Sequence, residues 1–322
     1  MTTPQAPLGS GFGHQTTADE VLVGLDLTGR LAIVTGGYSG IGIETTRALA
    51  KAGARVVVPA RRAEVAAAEL AGIEGVEVDE LDLADQASVQ GFAERFLATD
   101  RAVDMMINNA GVMACPETRV ENGWEAQFAT NHLGHYALLN RLWPALARAA
   151  GGARVVALSS SAHALSGIRW DDVMFEREAY DPWLAYGQSK TAAVLLAVHL
   201  NSLAKSHGFQ AFAVNPGGIL TPLQRHMPKA DMVERGWIDQ EGTPLMTDVF
   251  KSPEAGAATA TWAATSPQLV GLGGVYLDDV DIAAPSPDDQ SPSGVHPWAT
   301  DPEQAARLWA LSAELTGLDA LA

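Results

Sequence analysis

A single cysteine, Cys115, stands in 322 residues. No intrachain disulfide can form from it, and one sulfur cannot build a thiolate metal cage. That fits a reducing compartment. Long apolar runs are also missing. The longest in a helical segment, Ala192 to Val198, falls far short of the ~20 residues that a bilayer-spanning helix needs. Met1 to Ser10 carries neither a basic cluster nor an apolar run, so no secretory signal is expected and the chain is read as cytoplasmic. Positive charge is scarce: 21 basic residues stand against 38 acidic ones, a formal net charge of -17. Phosphate backbones and anionic lipid would repel such a surface, which argues against nucleic acid or a membrane as partners. An anionic cofactor stays admissible, because the dipoles at a helix N-terminus override net charge locally.

What is present is the material of a large core. Hydrophobic residues make up 47% of the chain and charged residues 18%, which excludes disorder as the general state. From Leu31 onward, short β-branched runs alternate with stretches of helical period. The runs are Leu31–Thr35, Arg55–Pro59, Val76–Glu80, Val103–Ile107, Arg154–Ser159 and Phe209–Val214, with Val275–Leu277 as a seventh. Between them, Val89, Phe92, Phe96 and Leu97 form one helical stripe; Trp124, Phe128, Asn131, His135, Leu138 and Leu142 form another. Strands alternating with helices predict an α/β fold: one doubly wound parallel sheet of about seven strands with helices on both faces.

No linker divides the chain in two. Residues 1–24 read as a loosely held arm followed by a short helix, capped by Thr17 with Glu20. Residues 25–322 form the one domain. Within it, 221–252 is rich in Pro and Gly and reads as a long ordered loop. Ala283 to Thr300, rich in Pro, Ser and Asp, reads as a surface segment leading to a last helix with Asp301 as N-cap and Pro302 at its first position.

The string Thr35-Gly36-Gly37-Tyr38-Ser39-Gly40-Ile41-Gly42 leaves the first strand and opens a helix, the context in which glycines cradle a pyrophosphate. Gly36 permits the tight turn, Gly40 lets the backbone approach the phosphates, and Gly42 allows close helix packing, while the helix N-terminus adds amide donors. A tight turn without ligand is the bland alternative. Asp82 after the third strand and Asn108-Asn109-Ala110-Gly111 after the fourth fall at the carboxyl ends of strands, where such a sheet keeps its ligand crevice. Taken alone, Asp82 serves equally as a cap and Asn109 as a turn former. The second strand runs into Ala60, then Arg61 and Arg62. An acidic residue there would accept bonds from the adenosine ribose, whereas a guanidinium favours a 2′-phosphate. NADP(H) is therefore expected over NAD(H), the alternative. The competing view makes both arginines solvated residues at the start of the next helix.

Tyr186-Gly187-Gln188-Ser189-Lys190 sets a phenol and an ammonium four residues apart, on one helix face. A free phenol titrates near pH ~10 and is a poor base at neutrality; a neighbouring ammonium is expected to lower that value. Ser160 ends the fifth strand and is placed to hold a carbonyl oxygen while the tyrosine protonates it, although Ser159-Ser160-Ser161 also reads as a plain strand-ending turn. Asn131 is polar on an apolar stripe: either a satisfied buried amide or an anchor for a water leading to Lys190.

With these residues assembled, the chain resembles the short-chain dehydrogenase/reductase family, and within it the retinol dehydrogenase-like branch. The resemblance covers roughly Leu25 to Leu318 and rests on five motifs in the family's order. It implies a Rossmann-type fold and hydride exchange between NAD(P)(H) and an alcohol, ketone or aldehyde. By that resemblance, Gly36, Gly40 and Gly42 match the TGxxxGxG glycines, with Tyr38, Ser39 and Ile41 among the cofactor-binding positions. Asp82 with Leu83 matches the adenine contact, and Asn109, Ala110 and Gly111 belong to the NNAG motif. Asn131, Ser160, Tyr186 and Lys190 occupy the catalytic tetrad, Tyr186 and Lys190 touching the cofactor as well. Asn215 to Thr221 looks like the segment that holds the nicotinamide carboxamide, through Pro216, Gly217, Ile219 and Thr221. The glycine spacing separates the chain from the family's extended members. Ser39 departs from the pattern, since NADP-preferring relatives often carry a basic residue there. Arg61, helped by Arg62, is left to argue for the phosphate.

A catalytically silent dinucleotide-binding sensor or scaffold is the second reading; it needs no proton donor, yet Tyr186 and Lys190 are both present. A hydrolase would need a nucleophile elbow, and no GxSxG occurs, while Ser160 and His163 lie too close in sequence for a triad. His132 and His135 lack an H-E-x-x-H partner, so no metal is expected and both are read as helix-surface or pocket-lining residues. The apolar side chains of 221–252, namely Leu223, Met227, Met232, Trp237, Ile238, Leu245 and Met246, suit either a lid over a hydrophobic alcohol or carbonyl compound or the private core of a long loop. A homo-oligomer is admissible on composition.

Overall fold

Each central strand owes its place to a period of two that serves two cores at once. In β1 (Leu31–Val34) Leu31 and Ile33 enter one apolar cluster while Ala32 and Val34 enter the other. β2 (Arg55–Ala60), β3 (Val76–Glu80), β4 (Met105–Asn108), β5 (Arg154–Leu158), β6 (Gln210–Val214) and β7 (Val275–Asp278) follow. The same alternation sends Met106 one way and Met105 and Ile107 the other, and divides Ala211 and Ala213 from Phe212 and Val214. A sheet buried on both faces explains the near-continuous apolar runs.

The computed structural model describes residues 3–120, 122–204, 208–245, 250–289, 291 and 293–321. Its sheet runs β3-β2-β1-β4-β5-β6-β7, all parallel, and ends in an antiparallel β8 (Asp281–Ile282). The order reverses between β1 and β4, the switch point at which a doubly wound sheet opens a crevice. The expected seven strands are all there. β8 is an addition too short, at two residues, for alternation to reveal. The expected fourth strand began at Val103, but β4 starts at Met105 because the Val103 amide donates to Ala145 O instead of to the sheet.

The helices are α1 (Ala18–Val21), α2 (Gly40–Lys51), α3 (Ala63–Glu69), α4 (Gln86–Leu97), α5 (Ala126–Phe128), α6 (Gly134–Leu146), α7 (Pro182–Ala204), α8 (Lys229–Glu234), α9 (Pro253–Gly256), α10 (Ala258–Thr265), α11 (Pro297–Thr300) and α12 (Pro302–Thr316). The caps expected at Thr17 and Asp301 are formed. α4 buries Val89, Phe92 and Phe96 as its stripe predicts. The second stripe is not one α-helix: between α5 and α6 the backbone widens into a π-helical turn, Ala129–Leu133, with Asn131 inside it. Such turns are rare and cluster at functional sites.

Two segments expected at the surface are tied down. Gln5 exchanges hydrogen bonds with β7, its Nε2 donating to Tyr276 O at 2.7 Å and its Oε1 accepting from the Tyr276 amide at 3.0 Å. The amides of Leu8, Gly9 and Ser10 converge on the Asp281 carboxylate. In 283–300, Val295, His296 and Ala299 are buried, and His296 stacks on Trp298 at 4.2 Å. The arm's partners on β7 and Asp281, and His163, to which the His296 amide donates, lie more than a hundred residues away, beyond the reach of a composition argument.

Candidate active site

Six strands deliver their carboxyl ends to one cavity of about 930 Å³. β1 delivers the glycine turn, β2 Arg61, β3 Asp82, β4 Asn109 to Gly111, β5 Ser160 and β6 Pro216 to Thr221. Of the residues selected for catalysis or cofactor binding, Gly42 and Asn131 do not line it; Gly42 packs against Gly36 and Asn109, and Asn131 against Gly111, which do.

The close helix packing read for Gly42 is visible in the turn. A Cβ on Gly42 would lie 2.4 Å from Gly36 O and 2.5 Å from Asn109 Nδ2, so only glycine lets α2 close on the turn. Gly40, at φ +56°, faces Thr221, whose Cβ an added side chain would meet at 3.3 Å. Gly37 is equally constrained, since its Cβ would stand 2.6 Å from Thr46 Oγ1. The turn is locked from below by Thr35. Its hydroxyl accepts from the amides of Asn109 and Ala110, both at 3.0 Å, and lies 2.9 Å from His135 Nε2. His135 Nδ1 donates to Asn131 O at 3.0 Å, which leaves Nε2 as the acceptor for Thr35.

His135 is therefore a strut rather than a surface or pocket residue, and burial holds it neutral with its pKa pushed down to about 4. His132 is corrected in the same way. It is buried against Ser312 Oγ at 2.7 Å, its pKa down at about 3. His135 stands on the apolar stripe that its helical period marks, in α6, whereas His132 lies in the π-helical turn and off that stripe. Among the described residues no group of acidic, His and Cys side chains is arranged to hold a metal.

Asn109 spends its side chain on structure, donating to Thr35 O at 2.8 Å. Asp82 Oδ1 accepts from the Ala84 amide at 2.9 Å, an Asx turn that aims the strand end at the cavity, with Leu83 beside it. Arg61 and Arg62 are exposed at the cavity rim, and neither has a carboxylate partner among the described residues. In a chain this acidic, two unpaired guanidinium groups at the end of β2 fit an anionic group.

At the chemical end, Tyr186 and Lys190 project from one face of α7 and are both buried. Lys190 Nζ donates to Leu158 O at 2.9 Å and stands 5.4 Å from the centre of the Tyr186 ring. Burial lowers the ammonium to about 8. The phenol is shifted opposite to the sequence expectation. Burial raises it well above its ordinary value, and the opposing influence is the hydrogen bond from Ser160 rather than the ammonium. The cause is desolvation of both groups, together with commitment of the lysine head to a strand carbonyl.

The three serines divide their labour. Ser159 Oγ donates to Lys190 O at 2.8 Å and docks α7, Ser160 Oγ caps the turn at Ala162 and faces the cavity, and the Ser161 amide reaches Asn215. Asn131 is a fully engaged amide. Its Oδ1 accepts from the Val112 amide, and its Nδ2 donates to Val112 O and to Ser189 Oγ, each at 2.9 Å. Gly111 separates Asn131 from Lys190: a Cβ there would lie 3.1 Å from Asn131 Oδ1 and 3.9 Å from Lys190 Nζ. Ser189, which the motif analysis passed over, links Asn131 to α7. His163 Nδ1 donates to Ser160 O and Nε2 accepts from the His296 amide, so no imidazole nitrogen is available to activate a serine.

Thr221 caps a 3₁₀ turn, Pro222–His226, with Gln224 closing the box. The segment that follows serves two ends. Leu223 and Trp237 face the cavity, Met227 and Ile238 are buried, and Leu245 is exposed; Met246 lies outside the described residues. Trp183, Arg225, Arg235 and Phe250 also line the cavity and were not selected from sequence. Trp183 was readable, being one helical turn before Tyr186. The segment returns through Lys251, whose buried Nζ meets Asp279 at 2.6 Å and whose Cε lies 2.7 Å from where a Gly217 Cβ would stand.

Comparison with known proteins places the chain. Residues 30–231 match the short chain dehydrogenase family. A Streptomyces antibioticus protein named "Probable oxidoreductase" is 47% identical over 88% of this chain and 97% of its own. Mouse retinol dehydrogenase 13 is 36% identical over 91% and 85%. Among solved structures, a Mycobacterium paratuberculosis protein superposes with TM-score 0.71 at 33% identity, covering 95% of this chain and 98% of that one. The Pseudomonas aeruginosa RhlG/NADP active-site complex gives 0.61 at 27% identity, covering 79% and 95%. The chain belongs to the short-chain dehydrogenase/reductase family and is an NAD(P)-dependent oxidoreductase.

Proposed function

We propose that the protein interconverts an alcohol and a ketone or aldehyde on a hydrophobic small molecule, with Tyr186 as general acid/base. The observation that carries this is one continuous cavity. The glycine turn and Arg61 stand at one end, and Ser160, Tyr186 and Lys190 stand on the wall beside them. A bound nicotinamide dinucleotide would supply or accept the hydride. Gly36 to Gly42, Asp82, Asn109 to Gly111 and Pro216 to Thr221 would hold it. Ser160 orients the substrate oxygen, and the Tyr186 hydroxyl gives that oxygen its proton or removes it. Lys190, anchored on the Leu158 carbonyl beside the phenol, positions the ribose end of the cofactor, and Asn131 fixes the wall on which Lys190 rests.

NADP(H) is favoured over NAD(H) because Ala60 leaves room and Arg61 offers a free guanidinium where an acidic residue would repel a 2′-phosphate. RhlG, whose structure holds NADP, lends support. The silent-sensor reading is disfavoured, since a binding module has no use for a buried phenol and ammonium on the cavity wall. Residues 25–322 act as one domain with 221–252 as its lid over the substrate, and the lone buried cysteine suits the cytoplasm. No described helix is long and apolar enough to cross a membrane.

The test is steady-state turnover of ketones and aldehydes of increasing hydrophobicity, with both dinucleotides, on wild type and Trp237→Ala. kcat/KM should rise with substrate apolarity, and the Trp237 variant should flatten that trend. Better turnover of polar sugars, or specificity ratios unchanged in the variant, would refute the hydrophobic-substrate reading.

A further inference from the structure

The cavity's charge runs against that of the chain. Five cationic residues line it, Arg61, Arg62, Lys190, Arg225 and Arg235, against two carboxylates, Asp82 and Asp289. The protein as a whole has 21 basic and 38 acidic residues. The dinucleotide reading accounts for Arg61, Arg62 and Lys190. It leaves Arg225 and Arg235, both on the segment that follows the Pro216–Thr221 stretch.

Neither guanidinium is neutralised by a carboxylate among the described residues. Arg225 donates only to its own turn, to Pro222 O at 3.2 Å. Arg235 is held by indoles, with its guanidinium carbon 4.9 Å from the Trp183 ring centre and 5.8 Å from that of Trp237. Trp183 in turn packs edge-on to Tyr186 at 6.3 Å. From the phenol outward, the wall therefore reads phenol, indole, guanidinium, indole. A planar guanidinium held near two rings can present its N–H fork to two oxygens with little loss of rotamer freedom.

We propose that Arg235, with Arg225 beside the same opening, binds an oxyanion at the far end of the substrate. The preferred compounds are then oxo or hydroxy acids with an apolar, ring-sized body between the reacting carbon and a carboxylate or similar group. This rests on the functional reading above and amends it: the apolarity that raises kcat/KM belongs to the body of the substrate, and the far end carries charge. The Trp183 ring takes the apolar body, and the charge is met one indole further from Tyr186. Arg235 also fixes where the lid lies against α7, so oxyanion binding and lid position are joined in one side chain.

Binding and turnover separate the two layers of the claim. Calorimetry on the full chain saturated with oxidised dinucleotide would compare 4-oxo-4-phenylbutanoate and a longer homologue, each with its methyl ester. At least one acid should bind ten-fold or more tighter than its ester. Arg235→Gln should bring that ratio close to one, and Arg235→Lys should restore part of it. Raised salt should weaken the acid alone. The proposal is overturned if no acid outbinds its ester, or if the preference survives in Arg235→Gln. It is also overturned if that variant weakens acid and ester equally, the mark of a structural latch. Failure of the underlying functional reading looks different: the dinucleotides themselves would not bind, or reduced dinucleotide would not be oxidised by any acid that does bind.

Discussion

At the dinucleotide end of the cavity the backbone is fixed by close approaches that tolerate no extra atom. Across the cavity, the described residues of 221–252 are held by a capping box, a few apolar side chains and an arginine set near two indoles. Gly42 has no room for a Cβ, whereas one on Gly236 would meet nothing within 4 Å. The first region presents nearly the same set of atoms to any ligand of one kind. The second can be rebuilt without disturbing the sheet. On the function proposed above, cofactor binding and substrate discrimination fall to parts of the molecule with opposite tolerance for change.

The sharpest way to break that contrast is a pair of glycine substitutions. Gly42→Ala should abolish dinucleotide binding and cost about 3 kcal/mol of stability, the upper end for overpacking a tight site. Gly236→Ala, strained only through its φ of +68°, should cost about 1 kcal/mol and leave dinucleotide affinity unchanged. Thermal unfolding and fluorescence titration read both, and equal losses would dissolve the distinction. A second test stays at the cofactor end. Arg61→Ala should weaken NADP(H) by about 2 kcal/mol, the value of a charge-assisted contact, with NAD(H) nearly unaffected. Wild type binding NAD(H) more tightly would remove the case for the 2′-phosphate.

The third test probes the joint between the two regions. Asp278 accepts from Asn215 Nδ2 at 3.0 Å, beside the Lys251–Asp279 pair at the end of segment 221–252. Burial, aided by Asp279, raises its pKa to about 6 from an ordinary 3.8. The folded state holds this proton more tightly than the unfolded chain, so the contribution to stability is full below the unfolded value and fades as pH rises through about 6. Asp278→Asn should therefore stabilise the protein by about 1 kcal/mol at pH 8 and not at pH 4, read from unfolding midpoints across that range. The opposite pH trend would show that the carboxylate is the preferred form.

Much of this architecture was legible in the sequence, and the boundary of what was legible has a physical cause. Strand positions, the glycine turn, the Asp301 cap and the Tyr186–Lys190 face all follow from period, spacing and local chemistry within one or two elements. The misread features depend on partners far along the chain. Thr35 and His135 meet across a hundred residues, Gln5 reaches β7, and His296 donates to His163. No window of sequence contains both halves of such a pair. The π-helical turn at Asn131 leaves the buried stripe intact, so the period gave no sign of it. Arg235 had no signal at all, because its importance lies in the two indoles that the fold brings around it.

The central claim is that one phenol moves the proton while the rest of the cavity only binds and orients. Tyr186→Phe tests it most directly, with dinucleotide affinity and turnover measured on the same preparation. Affinity should stay within about twofold of wild type, and kcat should fall by roughly 10²–10⁴, the span expected for loss of general acid/base catalysis. A variant that folds, binds dinucleotide and turns over at close to the wild-type rate would contradict the account.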